Sequence, residues 1–375
     1  MKLFMCVNYP KYNPAIGISK KICAQIETFQ KMGYEVTYSA YTENSIEIYK
    51  GNEKVLEKKF PKFMPSQLYG TIRSGELMKT CVQYLKKSEV NYDLGFIRWH
   101  AVDNHFLMVV KQLDSKCNKV LMDCHGYHLN YQGKTLKGKY IKYFTNRNAH
   151  KLPQYIDQCL VEFKGDSVFG IPALSIDTGI DVDKYQPHRY IGDLDAVEMV
   201  SVANETSYHG YDRIIRGLAE YKGNRDVHLH LVGKMSDKTV QLVSELGVSD
   251  KVFLHGYQTG KALDDVYAKS NIGVGPLAPH RIGGKQGTGI KTKEYFAIGL
   301  PYFYAGQELL VPLDYPYVLR FDADDSPIDV SAVIKFHDKL KDDHNIQDNM
   351  RAFARENYSW LKIFSKAIEQ MESRK

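Results

Sequence analysis

Apolar and polar positions alternate between two rhythms from the start of the chain. Residues 2–8 form an apolar run of strand length, residues 9–17 break it with Pro10, Pro14 and Gly17, and Ile22, Ile26 and Phe29 then recur at helical spacing as far as Gly33. Residues 34–40 return to the two-residue period of a strand. The same criteria predict helices over 71–87 and 103–113 and strands over 93–99, 119–123, 156–161 and 174–176. After a turn-rich segment, 179–187, a second alternation begins. Its strands are predicted at 196–202, 227–232, 252–254, 271–274 and 301–304, and its helices at 212–220, 238–246, 263–269 and 290–298. Strands alternating with helices predict parallel, doubly wound sheets, and two such runs predict two facing Rossmann-like domains. From residue 329 onward the pattern is helical throughout, with Trp360, Ile363, Phe364, Ala367 and Met371 on one face.

Composition narrows the class. A chain of 375 residues, 43% hydrophobic and 25% charged, can bury two α/β cores, which excludes a disordered, collagenous or disulfide-scaffold protein. The net charge of +6 would suit anionic ligands or an anionic membrane surface but is too small to argue for nucleic acid. The six cysteines include no Cys-x-x-Cys pair, so neither a zinc site nor a thioredoxin-like motif is expected. The opening apolar run is too short for a signal peptide, and no run has the length of a membrane span. These features predict a cytoplasmic protein with reduced thiols.

The chemistry concentrates in residues 279–301. Gly283, Gly284, Gly287 and Gly289 alternate with Arg281, Lys285, Lys291 and Lys293, and the segment runs straight into the helix predicted from residue 290. Backbone N–H groups at a helix N-terminus together with basic side chains are what a diphosphate needs. Glu294, about one turn further on, is placed to accept two ribose hydroxyls. Asp-x-Asp strings at 181/183, 193/195 and 322/324 lie in turn or linker sequence, where Asp is common, and are read as structural. No Gly-x-Ser-x-Gly elbow, Walker lysine loop or Gly-x-Gly-x-x-Gly after the first strand is present.

Glu294-Tyr295-Phe296-Ala297-Ile298-Gly299-Leu300-Pro301 resembles the signature of the retaining glycosyltransferases of family 4, and Lys291 matches members with a Lys-x-x-Glu-Tyr variant. Looser matches follow in the family's order: the Gly17 loop, Phe169-Gly170-Ile171-Pro172, Asp177-Thr178-Gly179-Ile180-Asp181, His209-Gly210-Tyr211-Asp212-Arg213, Leu231-Val232-Gly233, Leu254-His255-Gly256 and Trp360. Two positions depart from the family. Gln286 stands where the first of its paired Glu residues would be, and His209-Gly210 replaces its Lys-Gly.

The resemblance implies a GT-B fold: an acceptor domain over 1–185, a nucleotide-sugar domain over 186–355, and a closing helix, 356–375, able to cross back to the first domain. It implies a metal-independent, retaining hexosyltransferase without a cofactor. The donor would be a nucleotide sugar, UDP-linked in the first instance and GDP- or dTDP-linked otherwise. The acceptor would be a saccharide or lipid-linked saccharide in polysaccharide or glycoconjugate synthesis. Donor-binding positions are Gly17, His209, Gly256, Tyr257, Gln286, Gly287, Thr288, Gly289, Lys291 and Glu294, with Lys291 and Glu294 also catalytic. Gln286 would face the transferred sugar, and His125, after the 119–123 strand, would meet the acceptor. Lys291, Arg281, Lys285 and Lys234 are the candidates for neutralising phosphate. The basic stretch 134–151, with Tyr140, Tyr143 and Phe144 among its lysines, would suit an anionic membrane as a peripheral contact. A GT-B epimerase or phosphorylase, or a sugar-nucleotide binder without turnover, are the alternatives.

Overall fold

In the computed structural model, which describes residues 1–11, 17–60, 66–124, 136–193, 195–283 and 289–374, the first strand is buried on both faces. Strand β1 (Lys2–Pro10) sends Leu3, Met5 and Val7 to one side, against Ile22, Ile26 and Phe29. Phe4 and Cys6 go to the other, against Leu77, Cys81 and Leu85. Successive side chains alternate faces, so a strand apolar at every position needs helices on both sides of its sheet.

The chain continues through α1 (Gly17–Lys31), β2 (Glu35–Tyr41), β3 (Ser45–Lys50), β4 (Glu53–Lys59), α2 (Ser66–Lys87), β5 (Tyr92–Arg98), α3 (Asn104–Asp114), β6 (Cys117–Asp123), α4 (Leu136–Asn148), β7 (Gln158–Val161), β8 (Ser167–Val168) and β9 (Ile171–Ser175). Asp103 caps α3, its carboxylate accepting the N–H groups of His105 and Phe106 at 3.0 Å. The sheet order is β4-β3-β2-β1-β5-β6-β7-β9-β8. Its centre is parallel, as expected. The hairpin of β3 and β4 is antiparallel and was not predicted. Strand β4 carries two Glu and three Lys among its seven residues and is mostly exposed, a charged edge that discourages pairing with another chain.

The second sheet contains β10 (Val197–Val202), β11 (Val227–Val232), β12 (Val252–Gly256), β13 (Ile272–Val274), β14 (Tyr302–Ala305) and β15 (Val318–Phe321), in the order β12-β11-β10-β13-β14-β15 and wholly parallel. Between them run α5 (Tyr211–Glu220), α6 (Asp237–Glu245), α7 (Lys261–Ala268) and α8 (Ile290–Ile298). The tail is not one continuous helix but α9 (Val330–Leu340), α10 (Ile346–Asn357) and α11 (Trp360–Glu372).

The contacts define two units, Met1–Asp177 with Trp360–Lys375, and Thr178–Ser359. Helix α11 thus belongs to the first unit, where Phe364 stacks on Phe29 with ring centroids 4.1 Å apart. The divisions fall at 177/178 and 359/360, where the sequence suggested 185/186 and 355/356. Residues 178–185 stay with the second unit because Ile180 N–H donates to Tyr358 O (2.7 Å) and Arg351 donates to Tyr185 O (2.9 Å).

Candidate functional site

In the second sheet the strand order reverses between β10 and β13. In open α/β sheets ligands bind at the carboxyl ends of strands at such a switch point. Hydrogen bonds lock the two strands together there. Tyr295 Oη donates to Val200 O and Val274 O (3.0 and 3.1 Å), and Ser201 Oγ donates to Val274 O (3.1 Å).

Two helices begin beside this lock. Helix α5 follows Gly210, whose φ of 63° is left-handed. A Cβ at Gly210 would lie 2.8 Å from the Ala278 Cβ, so the close pass of 208–210 against 277–278 needs glycine. Helix α8 follows Gly289. Neither helix start has a side-chain cap, and helix N-termini favour anions.

Lys291 joins these features. Its ammonium donates to Ser201 Oγ (2.9 Å) and reaches the Tyr211 hydroxyl at 3.5 Å. Among the described residues no carboxylate lies within ion-pair distance of it. Burial pushes its pKa from 10.5 down to about 7, and the nearby Glu294 carboxylate acts in the opposite direction. His209 packs its ring flat on Tyr211, 5.3 Å between centroids, and its Nδ1 accepts Thr206 N–H at 2.9 Å. Burial and then Lys291 push the His209 pKa down to about 3. His209 is therefore neutral, with its proton on Nε2, and can offer a hydrogen bond but not a positive charge.

Glu294, three residues after Lys291 and on the same helix face, accepts a hydrogen bond from Tyr185 Oη (3.0 Å). Tyr267 of α7 is near both, and burial followed by the charge of Glu294 raises its hydroxyl pKa well above the usual value.

The other basic residues of the 279–301 segment are engaged elsewhere. Arg281 grips Asp212 through Nη1 and Nη2 (2.7 and 2.9 Å) and also donates from Nε to Asp325 (2.8 Å). Lys293 is fully buried, 3.5 Å from Glu308 Oε2, in the core. Lys234 is exposed at the β11 end. Gly256 ends β12, where its carbonyl accepts Gly233 N–H at 2.7 Å, and the next residue, Tyr257, is 75% exposed. Gly17 opens α1 in the first unit. His125, Lys285, Gln286, Gly287 and Thr288 lie outside the described residues. Asp123, at the end of β6, is buried beside Lys21 (3.8 Å) and accepts from Gln25 Nε2 (3.3 Å).

The Asp-x-Asp strings supply turns and ion pairs: Asp324 binds Arg213 (2.8 Å), Asp195 binds Lys341 (3.0 Å) and Asp183 binds Arg355 (3.2 Å). No group of three or more His, Cys, Asp or Glu among the described residues is arranged to hold a metal ion. No helix among them is long and apolar enough to cross a membrane. Sequence reasoning did not assign roles to Ser201, Tyr211, Tyr185 or Tyr267. Of these only Tyr211 carried a signal, through its position in the His209-Gly210-Tyr211 string.

Two units of helix-covered, mainly parallel sheet are the architecture of the GT-B glycosyltransferases. Residues 197–304, within the second unit, match the family model described as glycosyl transferases group 1. Among solved structures, the chain superposes on a Rickettsia africae glycosyltransferase with a TM-score of 0.67 at 13% identity, covering 99% of this chain and 98% of that one. A sucrose-phosphate synthase from Thermosynechococcus elongatus gives 0.64 at 15% identity over 100% of both chains. The Anabaena protein HepE, solved with UDP and glucose, gives 0.60 at 13% identity over 100% of both. Identities this low establish the fold alone. No curated protein matches the sequence.

Proposed function

We propose that this protein is a metal-independent, retaining glycosyltransferase that moves a hexose from a nucleotide sugar to a saccharide or lipid-linked saccharide. The observation that carries the proposal is Lys291, a buried amine whose partners among the described residues are the Ser201 and Tyr211 hydroxyls, where two helices begin at a switch point. The diphosphate would lie over the first turn of α8, where backbone N–H groups and Lys291 stabilise charge as the sugar bond breaks. A ligand phosphate beside Lys291 would draw a proton onto the amine and restore its charge.

Glu294 would accept ribose hydroxyls, Gln286 would face the sugar, and Gly256, Tyr257, His209, Gly287, Thr288 and Gly289 would complete the donor site. The acceptor would bind in the first unit near His125. In front-face displacement the C1–O bond to the diphosphate breaks as the C1–O bond to the acceptor forms on the same face. The acceptor proton passes to the departing diphosphate oxygen. UDP sugars are the donors of first choice, a reading supported by the UDP complex of HepE. On α4, Leu136, Lys137, Lys139, Lys142, Tyr143 and Arg147 are exposed, whereas Tyr140 turns inward to Asp103 (2.8 Å). That basic face supports a peripheral contact with an anionic membrane on the cytoplasmic side.

The test is a thermal-shift panel of UDP, GDP, dTDP and ADP sugars, followed by a turnover assay with and without EDTA. A ligand at 100 times its Kd adds about 2.7 kcal/mol of stability. One nucleotide class should raise Tm, and its sugar should be consumed at an unchanged rate in EDTA. No shift with any nucleotide sugar, or a rate restored only by added Mg²⁺ or Mn²⁺, would overturn the proposal.

A further inference from the structure

A carboxylate that selects between neighbouring hydroxyls has to be held in one orientation. Glu294 sits on a short helix, and its side chain has three rotatable bonds, so the helix alone does not fix it. The structure supplies a second anchor from outside α8. Tyr185 directs its hydroxyl onto Glu294 Oε1 at 3.0 Å. The Tyr185 backbone is fixed in turn. Its N–H donates to Val182 O at 3.2 Å, and its carbonyl accepts from Arg351 Nη1 at 2.9 Å. The same guanidinium nitrogen also donates to Ala297 O in the last turn of α8. Arg351 is itself 92% buried, at 8% exposure. Tyr185 is therefore tied to α8 twice, through its backbone by Arg351 and through its hydroxyl by Glu294.

We propose that Tyr185 is a positioning residue for the nucleotide's ribose, holding the Glu294 carboxylate so that it meets the vicinal hydroxyls. The proposal rests on the reading of Glu294 as the ribose ligand. A carboxylate has about four lone-pair positions, and the bond from Tyr185 takes one of them while orienting the group. Burial and then the Glu294 charge raise the Tyr185 hydroxyl well above its usual pKa, so it stays a hydrogen-bond donor across the working range. The segment that carries Tyr185 is anchored in the second unit by Ile180 and Val182, and the backbone bonds of residue 185 would be met as well by a phenylalanine.

The test compares UDP with 2′,3′-dideoxy-UDP, and GDP with its dideoxy form in parallel, by calorimetry on the parent, Tyr185→Phe, Glu294→Ala and the double variant. The parent should prefer the ribose form by about 10-fold or more, as expected for hydrogen bonds to a charged group. Tyr185→Phe should cut that preference by at least about 3-fold while binding the dideoxy form as the parent does. The double variant should bind no more weakly than Glu294→Ala. Unchanged preference in Tyr185→Phe, or an equal loss for ribose and dideoxy forms, overturns the positioning role while leaving Glu294 in place. No preference in the parent, with Glu294→Ala binding UDP and GDP normally, removes the Glu294 assignment and the role of Tyr185 with it.

Discussion

Lys21 in the first unit and Lys291 in the second are both buried near the carboxyl ends of parallel strands, and the two are treated differently. In the first unit, Lys21 of α1 lies 3.5 Å from Glu162 Oε1 and 3.8 Å from Asp123 Oδ2, with all three side chains at most 5% exposed. In the second, Lys291 is as deeply buried but rests on the hydroxyls of Ser201 and Tyr211. The first lysine has its counter-charges supplied by the chain. The second has a place for one. A buried amine without an anion is costly, and the chain keeps it where two helix N-termini already favour negative charge. On the reading proposed above, the difference separates a structural ion cluster from a donor site, although both are buried lysines at the ends of parallel strands.

The largest expected effect comes from breaking the structural pair. Lys21→Met removes the buried cation that Asp123 and Glu162 share and should cost about 3–5 kcal/mol of stability in denaturant unfolding. Lys291→Met removes no ion pair, so its stability should equal or exceed the parent's. Comparable losses in the two variants would erase the distinction.

Turnover should show the reverse order. Lys291→Met should lose about 100- to 1000-fold in kcat/KM, the scale seen when one charge-stabilising group is removed from an active site. An activity within about threefold of the parent would place the diphosphate elsewhere.

A smaller effect is expected in the pH dependence of stability. With a folded pKa of about 7, below its usual 10.5, Lys291 is neutral in the folded protein and charged in the unfolded chain between those values. The unfolded state then binds more protons, so the Lys291 contribution to stability is unfavourable at low pH and relieved as pH rises from about 7 toward 10.5. Lys21 is shifted in the same direction by burial, against the pull of Asp123 and Glu162, so the parent profile combines both. The difference between parent and Lys291→Met isolates one lysine. Tm of the variant should exceed the parent's most at low pH, with the gap closing through this window. A gap that is constant with pH would show that Lys291 titrates normally.

The parallel architecture was legible in the sequence because it is written locally, in apolar runs of strand length and amphipathic helices. The β3–β4 hairpin was not. Ser45–Lys50 does alternate, with Ile46 and Ile48 buried, but it is short, and Glu53–Lys59 is mostly charged and exposed, so its strand character comes from pairing with β3. In α8 nearly every side chain is buried, so no polar stripe marks which face meets the site. Helical geometry could still have separated Lys291 from Lys293, since residues two apart do not share a face. Their partners, Ser201 and Glu308, could not be read, because they come from distant points in the chain. The same holds for Tyr185, which is 109 residues from Glu294 and meets it only in the folded protein.

Proton uptake on nucleotide binding tests the role of Lys291 most directly. UDP is titrated calorimetrically at about pH 8 in two buffers of different ionisation enthalpy, into the parent and Lys291→Met. An amine with a pKa of about 7 is mostly neutral in the free protein at that pH and charged once a diphosphate sits beside it. The parent should therefore take up most of one proton per UDP bound, and Lys291→Met should bind more weakly and take up none. Equal affinity in the two proteins, or binding to the parent without proton uptake, would contradict the assignment of Lys291 as the diphosphate's counter-charge.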